Sequence, residues 1–444
     1  MSSSAVVGNL LCQKNSFLKT FQTAVLSCNE FRPITDTAKR DKKNAQKSGV
    51  GSNEAVKYGL ELADTIFFPE GGGQPSDEGT ITLPDKTRIL VEMILRDKLS
   101  AVHVTQEAVE PGTPVTLEID WKRRWDHMQQ HTGQHLLSAV LDTYNLDTLS
   151  WSMGEVVNYV EIPVRIGEEL VERINSQVND HINQALPITV VTSEDHGDQV
   201  DMSKVPEDYD KTKGTIRVIK IGNIDKNVCC GTHLSSTSQI QAVALLHQSN
   251  IRGGHSRLHF ICGSRVYQYL RMQNAILKNV SGNQLSCQVD EVAEKVDQMI
   301  KSYKKATARE SSLLKEIAAV EATRIFDEFS KTSRKTAFAY RSENSSEYIQ
   351  AVQKELLTLL NKQQAYGIDL NKTHTVVFIT GDYASGTGGI VKIIGPSSDY
   401  IQKILKEKIS SLKGGGKGNS YQGKVLKYEK GEVENVLNSL KELH

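Results

Sequence analysis

The chain is 444 residues long, which at ~150 residues per domain sets an expectation of about three domains. Hydrophobic residues make up 38% and charged residues 24%, a balance that excludes wholesale disorder and a fibrous or collagenous chain. Lysine plus arginine equals aspartate plus glutamate at 53 each, which argues against a protein that grips nucleic acid over its whole surface by charge, while leaving room for local basic patches.

No run approaches the ~20 apolar residues of a membrane-spanning helix. Met1 to Phe17 has no basic segment leading into a long apolar one, so neither a membrane partner nor a signal peptide is expected. The six cysteines, two of them adjacent at Cys229 and Cys230, make no disulfide framework. The expected compartment is the reducing cytoplasm, where cysteine near histidine reads as metal-binding or catalytic.

In chain order, Phe21 to Leu26, Leu60 to Phe67, Thr80 to Leu83 and Arg88 to Leu95 read as short strands bounded by Gly, Pro, Asn or Asp, which suggests a small barrel or sandwich. Asp36 to Lys57, rich in Lys, Ser, Gly and Asn, reads as a surface loop. From Trp121 the apolar residues Trp125, Met128, Leu136, Leu137, Val140 and Leu141 fit a helix. Strands and helices then alternate to about Gly263, with strands expected at Leu186 to Thr192 and Thr215 to Ile221.

Val292, Val296, Met299, Tyr303, Ala306, Glu310, Leu313, Ile317, Val320 and Arg324 are spaced alternately by four and three, a heptad seam flawed at Glu310 and Arg324. It fits a helical hairpin within one chain as well as a dimer, so monomer and dimer both stay open. Beyond it, Thr375 to Thr380 and Gly389 to Ile394 read as strands and Asp399 to Leu412 as a helix. The fold class expected is α+β: an N-terminal β barrel (1–120), an α+β domain (121–264), a helical or coiled-coil connector (265–330) and an α/β C-terminal domain (331–444).

The chemistry concentrates in His131-Thr-Gly-Gln-His135 and Cys229-Cys-Gly-Thr-His233. Helical residues four apart share a face, so His131 and His135 can aim two imidazoles at one point. Gly231 suggests a turn that folds Cys229 and His233 around a centre. Imidazole and thiolate together suit Zn²⁺, which takes four N/S donors in a tetrahedron. Either pair alone also fits a solvated helix face or a plain turn. His127, one turn before His131, and Cys230, beside Cys229, are alternative donors. Pro69 to Asp77 carries Gly71, Gly72 and Gly73 before Gln74, where glycine permits close approach of a ligand to backbone or simply a flexible hairpin.

These motifs, Gly71-Gly-Gly-Gln74, His131-Thr-Gly-Gln-His-Leu-Leu137 and Cys229-Cys-Gly-Thr-His233, resemble the editing domain of alanyl-tRNA synthetase and its free-standing AlaX-type relatives. The likeness runs from near Phe67 to Gly263, whose tail is Arg257-Leu-His-Phe-Ile-Cys-Gly263. Lys413-Gly-Gly-Gly-Lys-Gly418 and Gln422-Gly-Lys424 are similar to the glycine-rich tRNA-binding C-terminal domain of the synthetase, as in the long, eukaryotic class of these editing proteins. The barrel begins almost at Met1, which implies hydrolysis without aminoacylation.

The resemblance implies one Zn²⁺ per chain on His131, His135, Cys229 and His233, and leaves His127 outside the ligand set. It implies mischarged tRNA(Ala) as partner, with Ser-tRNA(Ala) and then Gly-tRNA(Ala) as substrates of ester hydrolysis. Gly71, Gly72, Gly73 and Gln74 would line the pocket, Ser150 to Gly154 would add a wall, and Thr232 would be a donor behind the ligands. Lys122, Arg123 and Arg124, placed before the helix, together with Arg257, Lys413, Lys417 and Lys424, are the RNA-contact candidates, against the commoner reading of solvated charge. Gly418 to Val425 nearly spells a nucleotide-binding loop, but Val425 replaces the required hydroxyl and a helix is expected before it, so no nucleotide cofactor is expected. A zinc-stabilised RNA-binding or protein-interaction module without catalysis is the alternative reading.

Overall fold

The structure is a computed structural model that describes residues 4–31, 56–192, 215–384, 386 and 388–443. The stretch expected as a surface loop at Asp36 to Lys57 lies, up to residue 55, outside the described residues. The chain forms two compact units, Met1–Lys278 and Asn279–His444, and it is mixed α+β throughout.

The first unit opens with helix α1 (Leu11–Lys14) and six strands: β1 (Thr20–Phe31), β2 (Lys57–Leu62), β3 (Gly79–Thr82), β4 (Arg88–Asp97), β5 (Ser100–Thr105) and β6 (Pro114–Ile119). They close into a barrel in the order β1-β2-β5-β4-β3-β6, with Phe21 of β1 opposite Leu117 of β6. Alternation puts Ile89 and Val91 inside and leaves Leu90 exposed. The register shifts after Val25 and after Val91, irregularities of the kind that bend strands enough to close a barrel. The expected strand at Leu60 to Phe67 ends at Leu62. Asp64 and Thr65 then turn the chain, and Asp64 accepts the backbone N–H groups of Leu11 and Thr65.

Helix α2 (Trp121–Asp142) follows at once, capped by Asp120, whose carboxylate accepts the N–H of Arg123. The basic cluster 122–124 therefore lies in the first turn of the helix and not before it. Every residue from His127 to Leu141 is buried, because the helix touches strands of two separate sheets. The remaining elements are β7 (Ser150–Ser152), β8 (Asn158–Ile162), α3 (Glu168–Asn183), β9 (Ile188–Thr192), β10 (Arg217–Ile221), β11 (Asp225–Val228), β12 (Val243–Asn250), β13 (Ser256–Cys262) and α4 (Ser264–Lys278). One sheet runs β12-β13-β8-β7 and the other β11-β10-β9, and Leu137, Val160, Ile174, Ile219 and Phe260 meet in their shared core.

The second unit contains α5 (Val292–Lys331), β14 (Thr336–Arg341), α6 (Ser346–Lys362), β15 (Thr375–Thr380), β16 (Gly389–Ile394), α7 (Ser398–Lys408), β17 (Leu412–Lys417), β18 (Ser420–Val425) and α8 (Glu432–Lys441). Its sheet has the order β14-β15-β16-β18-β17, parallel only between β14 and β15. One face packs Val376 and Phe378 against α5 and α6, and the other packs Val377, Ile379 and Tyr421 against α7 and α8.

The heptad seam is not buried among the described residues of this chain, and one expectation about the Gly/Lys stretch is corrected. The heptad positions Val296, Met299, Tyr303, Leu313, Ile317 and Val320 are exposed, and α5 buries Ala318, Ala322, Ile325 and Phe329 instead. The two alanines let α6 pack closely against the helix, and Ile325 and Phe329 continue the same buried face. The helix before the Gly/Lys stretch ends at Lys408, and a strand, not a helix, leads into Gly418. Glycine has poor strand propensity, which hid β17. A Cβ on Gly414 or Gly416 would collide with the backbone of β18, so the glycines are there for close strand contact. Gly418 (φ 63°) turns the hairpin and Ser420–Val425 is its return strand, so the stretch lacks the helix that follows a nucleotide-binding P-loop.

Candidate metal centre

His131 and His135 sit one turn apart on α2, with ring centroids 5.2 Å apart. Cys229 directly follows β11, and Gly231 turns the chain so that His233 comes back beside it. Cys229 Sγ lies 3.4 Å from His131 Nε2 and 3.3 Å from His233 Nε2. One donor atom from each of His131, His135, Cys229 and His233 falls within 4.8 Å of all the others. Zn–S and Zn–N bonds at tetrahedral angles put sulfur and nitrogen donors about 3.5 Å apart. The two sulfur–nitrogen separations match that spacing, and the cluster is compatible with zinc.

Hydrogen bonds behind the rings fix which nitrogen faces the centre. His131 Nδ1 donates to Gln74 Oε1 at 2.9 Å, which leaves Nε2 with its lone pair toward the sulfur. Asp225 Oδ2 stands 3.4 Å from His135 Nδ1, an ion-pair contact rather than a hydrogen bond, on the side of the ring away from the sulfur. The N–H of Gly231 points at Cys229 Sγ, 3.4 Å away. A Cβ on Gly231 would overlap the His131 ring and Gln74, so only glycine fits there. His233 Nδ1 is buried and has no partner among the described residues.

The charges reinforce this arrangement. Burial raises the Cys229 pKa, but the rings of His131, His233 and His135 outweigh it, and the thiol is held well below its ordinary value as a thiolate. Burial would lower His135, yet the Cys229 thiolate and Asp225 carry it up to about 10. His233 is pushed down to about 3, first by burial. Burial, then the Cys229 charge, push Cys230 up to about 11, so it stays a neutral thiol. It packs instead beneath the glycine loop, where a Cβ on Gly72 would sit 3.3 Å from its sulfur. Cys230 and His127 thus both lie outside the four-donor cluster.

The glycine loop borders the centre. Gly71 and Gln74 form a two-residue bridge, and Gly72 and Gly73 take φ of 59° and 81°, values that favour glycine. Gly73 lies against Trp151, whose ring is 4.8 Å from that of His131. Thr232 holds the Gln74 side chain. Its backbone N–H donates to Gln74 Oε1 and its hydroxyl accepts from Gln74 Nε2, so it sets the orientation of the amide that holds His131.

Three residues at this site have no signal in the sequence. Arg217 donates to the carbonyls of Cys229 and Gly231 and to that of Gln13, while Gln13 Nε2 donates to the Cys230 carbonyl. Asp225 is the third. Each is a polar residue of ordinary type whose partner is distant in the chain or across a turn, and no spacing rule reveals it.

The basic candidates differ in role. Arg124 is fully buried, paired through its guanidinium with Asp77 and bonded to the carbonyls of Ser16 and Ile66, so it is structural and unavailable to RNA. Losing Asp77 would strand a buried charge at a cost of about 3–5 kcal/mol. Arg123 bonds the Ser76 carbonyl and faces Glu78. Lys122 is exposed. Arg257 lies over the Tyr159 ring, 3.8 Å from Glu161. Lys413, Lys417 and Lys424 are exposed on the β17–β18 hairpin of the second unit.

Residues 216–259, which contain the cysteine–histidine turn, match the family described as the threonyl and alanyl tRNA synthetase second additional domain. The chain is 35% identical to alaX of Saccharomyces cerevisiae, covering 96% of this chain and 95% of that one. It is 32% identical to the alanyl-tRNA editing protein Aarsd1 of Danio rerio over 96% of both. It is 28% identical to the alanyl-tRNA editing protein AlaX-L of Pyrococcus horikoshii over 84% of this chain and 89% of that one. Identity of this extent, over nearly the whole of both chains, means that the chain belongs to the AlaX/Aarsd1 family of alanyl-tRNA editing proteins.

Proposed function

We propose that the protein is a cytoplasmic trans-editing hydrolase. It cleaves the ester of mischarged tRNA(Ala), Ser-tRNA(Ala) first and Gly-tRNA(Ala) second, at one Zn²⁺ held by His131, His135, Cys229 and His233. The observation that carries this reading is the convergence of those four donors beside the Gly71–Gln74 loop in a member of this family.

A bound Zn²⁺ supplies Lewis-acid polarisation of an oxygen of the ester or of the attacking water. The protein's own residues do the rest. Gln74 holds His131 in one tautomer, and the Asp225 carboxylate stands beside His135 Nδ1 to orient the second ring. Gly231 N–H offsets part of the thiolate charge. Trp151 covers the His131 ring and limits water at that side. Gly71, Gly72 and Gly73 receive the aminoacyl group, where a side chain would obstruct it. A second, hydrolytic site is needed because serine, glycine and alanine differ by too little binding energy for one sieve. A polar group that meets the serine hydroxyl is left unpaired by alanine, which protects the correct ester.

The RNA contacts belong to Arg123, Arg257, Lys413, Lys417 and Lys424. Lys413 and Lys424 are direct cross-strand neighbours on an exposed face. Like charges so placed repel, and an anionic backbone relieves them.

The test is paired deacylation of Ser-tRNA(Ala) and Ala-tRNA(Ala) by metal-loaded protein, with and without a chelator. Rapid loss of serine, slow loss of alanine and arrest by the chelator are expected. Binding of both RNAs with no hydrolysis would leave only an RNA-binding module.

A further inference from the structure

Helix α5 carries an apolar face that the described residues leave open. Every residue from Val296 to Leu313 is exposed, as are Ile317 and Val320 beyond it. Spacing by threes and fours places Val296, Met299, Tyr303, Leu313, Ile317 and Val320 on one side of the helix. Helix α6 packs on a different stripe, through Ala318 and Ala322. A continuous row of apolar side chains on an otherwise charged helix marks a surface that meets another protein surface.

The row is complementary to itself when one copy of the helix is reversed about Ala308. Val296 then meets the partner's Val320, Met299 the partner's Ile317, and Tyr303 the partner's Leu313. Glu310, the charge inside the apolar repeat, meets the partner's Ala306, which leaves it room, and stands beside the partner's Arg309. Arg309 and Glu310 form no ion pair among the described residues, so both are open to this one. A two-fold axis makes each contact occur twice. The overlap from Val296 to Val320 is about 36 Å long. A parallel pair would instead set Glu310 against Glu310 inside the seam, where like charges repel.

The shape of the second unit fits the same register. A groove of about 750 Å³ runs between Leu313, Leu314 and Ile317 on α5 and Asn344, Ser345 and Glu347 at the start of α6. The reversed alignment brings the partner's Tyr303 to Leu313, at this groove. A phenol offers an apolar ring to the leucines and a hydroxyl to the polar rim. We propose that α5 pairs antiparallel with α5 of a second copy of this chain, centred near Ala308, with Tyr303 of each copy seated in the groove of the other. The pairing does not depend on the chemistry at the metal centre.

Sedimentation velocity on the full-length, metal-loaded protein over about 0.5–50 µM should show a species of twice 49.2 kDa that dissociates on dilution. Met299→Lys and Leu313→Lys, both at exposed positions, should each weaken association roughly 10-fold or more, because each change strikes two contacts in the dimer. Leu357→Lys, exposed on α6 and off the row, should leave it unchanged. Arg309→Glu and Glu310→Lys should each weaken it roughly 3–10-fold at low salt. An equimolar mixture of those two variants should recover wild-type association, since each altered charge then meets its opposite, a recovery that misfolding cannot produce. In a parallel pair Arg309 would lie beside the partner's Leu314, and its reversal would have no effect. A dimer weakened by Leu313→Lys but indifferent to Arg309→Glu would therefore overturn the antiparallel register. A monomer at every concentration, or a dimer indifferent to both Met299→Lys and Leu313→Lys, would overturn the pairing altogether.

Discussion

Gln74 and His131, 57 residues apart in the chain, are locked together in one orientation. The amide cannot flip, because Oε1 accepts from both His131 Nδ1 and the Thr232 N–H while Nε2 donates to the Thr232 hydroxyl. The ring then has no choice of tautomer. The glycine motif and the metal motifs are therefore one construction, joined through a single side-chain amide.

The first prediction follows from that lock. Gln74→Ala frees the imidazole, and metal affinity should drop roughly 10–100-fold, as for other partners that orient ligand histidines. Gln74→Glu keeps an acceptor for Nδ1 and should lose less. A competition titration with a chromogenic chelator reads both. Equal affinities for wild type and Gln74→Ala would mean that the bond has no part in holding the centre.

Asp225 gives the second. Asp225→Ala removes the carboxylate beside His135 Nδ1, and metal affinity should again fall roughly 10–100-fold. Asp225→Asn keeps an oxygen acceptor and removes the charge. If the charge is what matters, Asn should resemble Ala, and if orientation is what matters, Asn should resemble wild type. The same titration decides between them.

Much of this centre is legible in the sequence because its spacings are local. A helix fixes His131 over His135, and Gly231 makes the turn from Cys229 to His233. The choice of Cys229 over Cys230 is not local, since it depends on which sulfur the distant helix meets. Gln13, Arg217 and Asp225 are invisible for the same reason: their partners come from other turns or strands. Arg124 misleads in the opposite direction. Set between Arg123 and Trp125 it reads as surface charge, and only the fold brings Asp77 to it. In the second unit the helix period is real, yet the buried stripe runs through Ala318 and Ala322. Close approach at the alanines and the apolar Ile325 and Phe329 together define that stripe.

A third prediction concerns acid stability and avoids the metal. His103 lies inside the barrel, its Nδ1 donating to the Leu60 carbonyl and its Nε2 accepting from the Thr65 hydroxyl. Burial lowers its pKa to about 4 against an ordinary value of 6.5, and the Leu60 carbonyl opposes this only in part. Between those values the unfolded chain binds a proton that the folded one refuses, so stability falls as pH drops from 6.5 toward 4. At pH 5 the loss from this one group is about 2 kcal/mol. All three tryptophans, Trp121, Trp125 and Trp151, lie in the first unit, so their fluorescence follows its unfolding in urea. His103→Gln should flatten the pH dependence between 7.5 and 5 by about one proton. An unchanged slope would show that His103 already titrates normally in the folded barrel.

The fourth prediction separates RNA affinity from chemistry. Lys413 and Lys424 face each other across β17 and β18, and Lys417 lies on the same hairpin, in the unit that does not contain the metal cluster. Contacts with phosphates release counterions, so log K should fall linearly with log salt. Lys413→Ala and Lys424→Ala should each reduce the magnitude of that slope by roughly 0.7–0.9. At saturating tRNA, kcat for deacylation should be unchanged, because neither residue belongs to the metal cluster. Filter binding over a salt series, with kcat and KM measured on the same preparations, gives both readouts. An unaltered slope would remove these lysines from the RNA interface. A fall in kcat at saturation would mean instead that the hairpin acts on the chemical step.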